Sequence, residues 1–223
     1  MSLLSAVFAV LKKDFLLEYR TRFGINIVLL FVLMSVSLVI FSFAGETLES
    51  NLLGTLLWNT IFFSAMASMH RGFVSEAEQS TILFLKLSVP ATAVLLGKLI
   101  YNVVLALAIN LLVALLYFLA LDFSVENYLV FLLTLLLGSL ASAITLTLIS
   151  AIVAGTAARS GLFAVLAFPP ILPAIWLVVR ATKSAALPES TFSDAQSELQ
   201  LLLAYSVVML TLSVMLFEYV WEE

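Results

Sequence analysis

Side chains able to do chemistry are scarce in this sequence, and several crowd into one short segment, SEAEQSTILFLKLSVP, from Ser75 to Pro90. Two carboxylates and an ammonium, Glu76, Glu78 and Lys86, sit there between two long apolar runs. Such groups can form ion pairs and hydrogen bonds with a partner. Ser75-Glu76-Ala77-Glu78 reads as a capping box, with the serine capping a helix and Glu78 reaching back. Acids at the start and Lys86 near the end suit the helix dipole, and Pro90 marks a stop. The spacing predicts one helix over residues 75–89, polar in its first half and apolar in its second. It can dock its apolar end under a bundle and offer its polar end to a partner, or it can be an ordinary surface loop.

Other chemistry is limited by what the chain lacks. With no cysteine, disulfides, thiolate metal sites and cysteine nucleophiles are excluded. The one histidine, His70, makes a histidine-rich metal or proton-relay site implausible, so no metal site is expected. No apolar run carries an acid pair, a histidine pair or a serine–histidine couple, the groupings an intramembrane enzyme needs. No GxxxxGK[ST] sequence occurs, so this chain is not expected to hydrolyse ATP itself. No catalytic residue is assigned.

The elements that must position these groups are apolar and long. Of the 223 residues, 63% are hydrophobic and 11% charged, with mean hydropathy +1.19. A soluble domain holds about 25% charged residues, so the chain is read as an all-α integral membrane protein. Its apolar stretches are continuous rather than alternating, which argues against a barrel. Against the roughly 20 residues that cross a bilayer, six spans are expected at 25–44, 52–69, 99–121, 128–158, 161–179 and 199–220. Lys12, Lys13, Arg20, Arg22, Arg71, Lys86, Lys98 and Arg159, eight of the ten Lys and Arg, fall on one side. The positive-inside rule makes that side cytoplasmic and places both termini there, in the plasma (inner) membrane.

Leu4, Phe8, Leu11, Phe15 and Tyr19 recur at helical spacing, with Lys12, Lys13 and Arg20 elsewhere on the wheel. Residues 1–24 therefore read as an amphipathic interfacial helix. The cations follow the apolar stretch, so the segment is not expected to be a signal peptide. A net charge of −4 and the absence of a basic patch give no sign of nucleic acid. Within the spans, Asn59, Asn102 and Asn110 are expected to bridge helices, with Asn110 the best placed to line a substrate route. Pro169, Pro170 and Pro173 free backbone carbonyls and mark a kink that either serves packing or opens such a route near the outer exit, with Pro169 and Pro173 the candidates to line it. Gly138 and Ser142, four apart, allow close helix packing. Residues 181–198 read as a polar outer loop.

Several motifs together resemble a known family. "LLWNTIFFSAMASMHRGF" (Leu56 to Phe73) is similar to its second span, with a tryptophan near the start and an arginine before a phenylalanine at the end. "AARSGLFAVLAFPPILPAIW" (Ala157 to Trp176) is similar to its basic-Gly-Gly turn followed by two prolines four apart, with Ser160 replacing one glycine. Glu78-Gln79-Ser80-Thr81-Ile82, with Pro90 and Lys98 beyond, is similar to its first cytoplasmic loop, where Gln79 replaces a glycine and Ile82 an acid. With the six-span order, the chain resembles the CcmB family of cytochrome c maturation haem exporters, permeases of the type-2 ABC exporter group.

That resemblance implies a non-catalytic permease domain over residues 1–223, coupled through Glu76, Glu78, Gln79, Ser80 and Lys86 to a separate cytoplasmic ABC ATPase that binds the ATP. It implies haem-handling membrane subunits as further partners, a second permease half (a copy of this chain or another subunit), and haem as cargo without a directly bound cofactor. A type-2 ABC permease for a lipid, glycan or drug, and a passive scaffold, are the competing readings. His70 is expected to be structural or solvated, not a haem ligand.

Overall fold

The computed structural model describes residues 2–43, 48–69, 71–78, 81–156 and 159–222. Among them the regular elements are helices: α1 (Leu3–Thr21), α2 (Phe23–Ser42), α3 (Ser50–Met69), α4 (Arg71–Glu78), α5 (Ile82–Ser88), α6 (Ala91–Ala120), α7 (Tyr128–Ala154), α8 (Arg159–Ala186) and α9 (Phe192–Glu222). Six stretches are long and apolar enough to cross a bilayer: Gly24–Ser42, Ser50–Val74, Ala91–Ala120, Tyr128–Ala154, Gly161–Ala186 and Phe192–Trp221. Helix is the form that lets such segments satisfy every backbone group without water.

Helix bounds differ from the sequence-based ones in places, each for a local reason. Pro90 has no N–H and sits extended at ψ 143°, so α6 starts directly behind it at Ala91 rather than at Leu99, and Lys98 lies inside a helix. The polar outer loop expected at 181–198 is mostly helical. Helix α8 continues through Arg180 and Lys183 to Ala186, and α9 begins at Phe192. Arg180 and Glu198 hold the two ends together, Nε to Oε1 at 3.1 Å, with the guanidinium 4.7 Å over the Trp176 ring. Between α1 and α2 the chain turns at Arg22, which adopts φ 50°. Its N–H bonds the Glu18 carbonyl at 2.7 Å, while the Glu18 carboxylate accepts the Ile25 N–H at 2.7 Å. One acid thus caps the start of the first span.

Helix α7 is the pillar, packed by α3, α4, α6, α8 and α9. Its polar side chains do not disturb the apolar interior because they bond to their own helix. Thr134, Ser139, Ser142, Thr145 and Thr147 each donate to the carbonyl four residues back, at 2.6–2.8 Å. Gly138 lets the indole of Trp58 and the side chain of Val178 pack against its backbone. A Cβ there would stand 2.6 Å from Trp58 Cη2 and 2.9 Å from Val178 Cγ1. The close approach joins α3, α7 and α8 within one chain. Trp58 in turn donates its Nε1–H to Thr182 Oγ1 at 2.7 Å.

Aromatic side chains close the two ends of the bundle. Phe118, Phe123 and Phe131 cluster at one end, and Phe73, Phe217 and Trp221 at the other, with one stacked pair in each trio, Phe118–Phe123 and Phe217–Trp221. Gly138→Ala should overpack the centre and lower stability by about 1–3 kcal/mol. Gly161→Ala, whose Cβ would meet nothing within 4 Å, should leave it unchanged or slightly raised. Thermal midpoints in detergent decide; equal midpoints for both variants would remove Gly138 as a packing determinant.

Candidate functional site

Four charged side chains meet at the end of the bundle that carries α1, α4 and α5. Lys98, on α6, is 2% exposed and Glu76, on α4, 6%. Lys98 Nζ lies 3.2 Å from Glu76 Oε1 and 3.3 Å from Asp14 Oδ2, and donates to the Gly72 carbonyl at 2.9 Å. Lys13, half-buried on α1, pairs with Glu76 and also with Asp14 at 3.1 Å. The Thr81 hydroxyl donates to the remaining Glu76 oxygen, and the Thr81 N–H to the Glu76 carbonyl at 2.9 Å. Two cations and two anions balance, and each buried charge has its hydrogen bonds. This is the condition under which ion pairs survive in low dielectric.

Electrostatics follow from that geometry. Burial alone would raise the Glu76 pKa, but Lys98, Lys13 and the Thr81 hydroxyl outweigh it and hold the acid at about 2. Burial alone would lower the Lys13 pKa, but Asp14 and Glu76 outweigh it and raise it above the ordinary lysine value. Both groups are therefore charged across the neutral range.

The network sits on an apolar floor made by six helices, with Ala151 and Ala154 of α7 in it. Val10 of α1, Phe73 of α4, Leu85 of α5, Val94 and Leu95 of α6, and Phe217 and Trp221 of α9 form one buried cluster. Phe73 also lies 5.2 Å beneath Lys98 Nζ. Its own N–H, an orphan of the first turn of α4, is taken by Ser150 Oγ at 3.2 Å. Gly97 lets α1 approach α6, since a Cβ there would come within 2.8 Å of Val10. α5 is sided. Leu85 is buried beneath it, while Leu83, Phe84 and Leu87 are 66%, 71% and 81% exposed.

The coupling residues expected from sequence separate in this structure. The segment is not one helix over 75–89. α4 begins at Arg71, so Ser75 lies inside it and is no N-cap, and a second helix, α5, begins at Ile82. The local capping pattern loses because Glu76 is pulled inward by Lys98 and Lys13, and Thr81 spends its hydroxyl on Glu76 instead of capping α5. Glu76 is thus an internal tie. Lys86 stands 5.7 Å over the Trp221 ring, within cation–π range. Glu78 closes α4, and Gln79, Ser80 and His70 lie outside the described residues.

Residues expected along a substrate route do not share one lining. Asn110 is 1% exposed and donates from Nδ2 to Ser139 Oγ at 2.6 Å; Asn102 likewise donates to Thr147 Oγ1 at 2.8 Å. Both tie α6 to α7, whereas Asn59 is exposed on α3. Pro169 and Pro173 are on the exposed side of α8. Between them, the Pro170 carbonyl accepts from the Tyr205 hydroxyl at 2.7 Å, and that hydroxyl is 2.9 Å from Thr145 Oγ1. The proline segment is thereby stitched to α7 and α9. Among the described residues, no three His, Asp or Glu side chains gather in a way that could hold a metal.

Asp14 carries no signal in the sequence that singles it out, and Lys13, Thr81 and Lys98 stand there as markers of orientation, amphipathicity and motif order rather than as partners of Glu76. A lysine inside an apolar helix is a signal in itself, because it must find an acid or leave the interior.

Fold and site together define an all-α, multi-pass membrane protein with a charge-locked end. The profile of the family described as CcmB protein matches residues 5–219, nearly the whole chain. The chain belongs to the CcmB family, and so is a membrane permease component of haem transport for cytochrome c biogenesis. No curated protein matches it.

Lys98→Met should cost about 3–5 kcal/mol, because it strands buried carboxylates. Adding Glu76→Met should restore part of that loss, as Lys13 and Asp14 remain paired. A separate pH prediction follows from Glu76. Its depressed pKa makes its contribution fully present above the ordinary carboxylate value of 4.5, and the contribution is lost as pH falls toward about 2. The difference in thermal midpoint between wild type and Glu76→Gln should be flat from pH 7 to 5 and shrink below that. A difference that did not change with acid would show that the Glu76 charge is not what the network uses.

Proposed function

We propose that this chain is the permease half of an ABC complex, in which a separate cytoplasmic ATPase acts on the α4–α5 region. Its ATP hydrolysis drives haem export, or release of a haem-loaded chaperone, for cytochrome c assembly. In this reading the end bearing α1, α4 and α5 faces the cytoplasm, both termini lie on that side of the inner membrane, and a second six-span half completes the complex. Haem-handling membrane subunits are the remaining partners.

The observation that carries the reading is α5. A short helix at the basic end presents Leu83, Phe84 and Leu87 outward while Leu85 anchors it. Helical anchors of this kind suit a groove on a partner. From α5, force has two routes into the bundle: through Lys86 and Trp221 to α9, and through Thr81 and Glu76 to α1 and α6. The ATPase can favour one membrane state only if its contacts with α5 differ between states. Glu76 acts here by transmission, and Glu78, Gln79, Ser80 and Lys86 are the residues to test for polar contact with the ATPase. Asn110, Pro169 and Pro173 are the residues to test for cargo passage.

The test is purification of the tagged full-length chain from its membrane with partners identified. Wild type should bring an ABC ATPase and haem-handling subunits. Leu83→Asp with Phe84→Asp should lose the ATPase, a fall of about 100-fold or more in capture, with the thermal midpoint unchanged. Undiminished capture and stimulated turnover would sink α5 as the contact. An ATPase without haem-handling subunits would sink the haem assignment and leave a permease for other cargo.

A further inference from the structure

α1 carries a shallow, open groove of ≈ 410 Å³, lined by Ala9, Lys12, Lys13, Leu16, Leu17 and Arg20. Three cations line it, and no acid does. The two acids of α1 are engaged elsewhere: Asp14 faces Lys98 and Lys13, and Glu18 caps α2. Lys13 is also held by Glu76, but Lys12 and Arg20 are exposed and form no ion pair among the described residues. Lys12, Leu16 and Arg20 follow each other at one-turn intervals, spanning about 12 Å of the helix axis.

The surroundings say what reaches this groove. On the neighbouring face, Leu4, Phe8 and Tyr19 are 79%, 65% and 72% exposed. Their apolar stripe is left uncovered because Ala6, Val7 and Val10 are the residues that pack α1 against the bundle. The helix leads through Arg22 directly into the first span at Gly24. An apolar stripe, a cationic groove and an adjoining span place α1 at the boundary between acyl chains and headgroups. There the groove offers leucine walls for an acyl chain, an ammonium at one end, and at the other a guanidinium whose planar fork matches phosphate oxygens.

We propose that the groove holds the phosphate headgroup of one anionic phospholipid from the leaflet on which α1 lies. The source is the lipid itself, since the leucine walls have no use to a free phosphate ion. The lipid fixes the rolling angle of α1, the helix that supplies Lys13 and Asp14 to the charge network.

Native mass spectrometry of the full-length protein, delipidated and reloaded with phosphatidylglycerol or phosphatidylcholine, tests this. Wild type should retain phosphatidylglycerol in preference to phosphatidylcholine, and added salt should weaken that retention. Lys12→Gln with Arg20→Gln should lower phosphatidylglycerol affinity about 25-fold, at roughly fivefold per cation, and leave phosphatidylcholine unchanged. Lys12→Arg with Arg20→Lys, which keeps the charge, should stay within a few fold of wild type. Equal phosphatidylglycerol retention in the charge-removed variant overturns the proposal. Displacement of the lipid by millimolar inorganic phosphate overturns it too, by assigning the groove to the ion. Should the charge-removed variant fail to fold, the salt titration of wild type decides, and retention indifferent to salt overturns the proposal.

Discussion

A lysine inside an apolar helix has to be neutralised, and the end of the bundle that carries α1 is arranged around that requirement. Lys98 belongs to α6, a helix that is otherwise fit to cross a membrane, and it lies well within the helix because Pro90 sets the start at Ala91. Leaving an ammonium unpaired there would be costly, so two acids from different parts of the chain converge on it: Asp14 from α1 and Glu76 from α4. Two acids around one base would leave a net negative charge, and Lys13 removes it. Satisfying one charge has therefore recruited three elements and fixed their relative placement. The same contacts make a continuous path from the short helix α5 to α1 and into α6.

Deeper in the bundle the same physics acts on neutral groups. Serine and threonine hydroxyls on α7 fold back to their own carbonyls, which lets the helix carry many small polar residues and still pack closely on all sides. Amides and phenols that cannot do this reach across instead. Asn102 and Asn110 bind α6 to α7, Thr60 and Tyr117 join α3 to α6 at 3.0 Å, and Tyr205 bridges α7, α8 and α9. Lipid offers these groups no alternative partner, so each bond also selects a helix neighbour. The apolar surface does not select in this way: α2, α8 and α9 leave large Leu, Val and Phe side chains exposed because hydrocarbon is as good a partner for them as protein.

Much of the fold was legible from one dimension. Six apolar runs, their approximate centres and the amphipathic first helix follow from composition and period, since a bilayer imposes one length and one backbone solution. Gly138 was legible as a position of close approach, but not its neighbours, Trp58 and Val178, which come from α3 and α8. The loop helix was only half legible. Ser75 to Glu78 has the chemistry of a helix start, and in isolation would have good reason to be one. It lies inside α4 because that helix already begins at Arg71, and Glu76 is engaged inward by Lys98 and Lys13. The outer loop was missed for a related reason: Arg180, Lys183 and Glu198 look like loop residues by charge, yet the Arg180–Glu198 pair lets both helices run past the apolar spans.

By itself, the sequence determined the membrane class, the number of spans, the basic end and the family, because these depend on quantities summed along the chain: hydropathy, charge bias and motif order. Only the tertiary structure decided that Glu76 is an internal tie, that Lys98 is its partner, and that α5 turns Leu83, Phe84 and Leu87 outward. Those outcomes depend on which residues meet after separations of 22 positions for Lys98 and Glu76 and 84 for Lys98 and Asp14. Pair energies of that kind are set by distance and burial in three dimensions, and no local pattern of residue types encodes them.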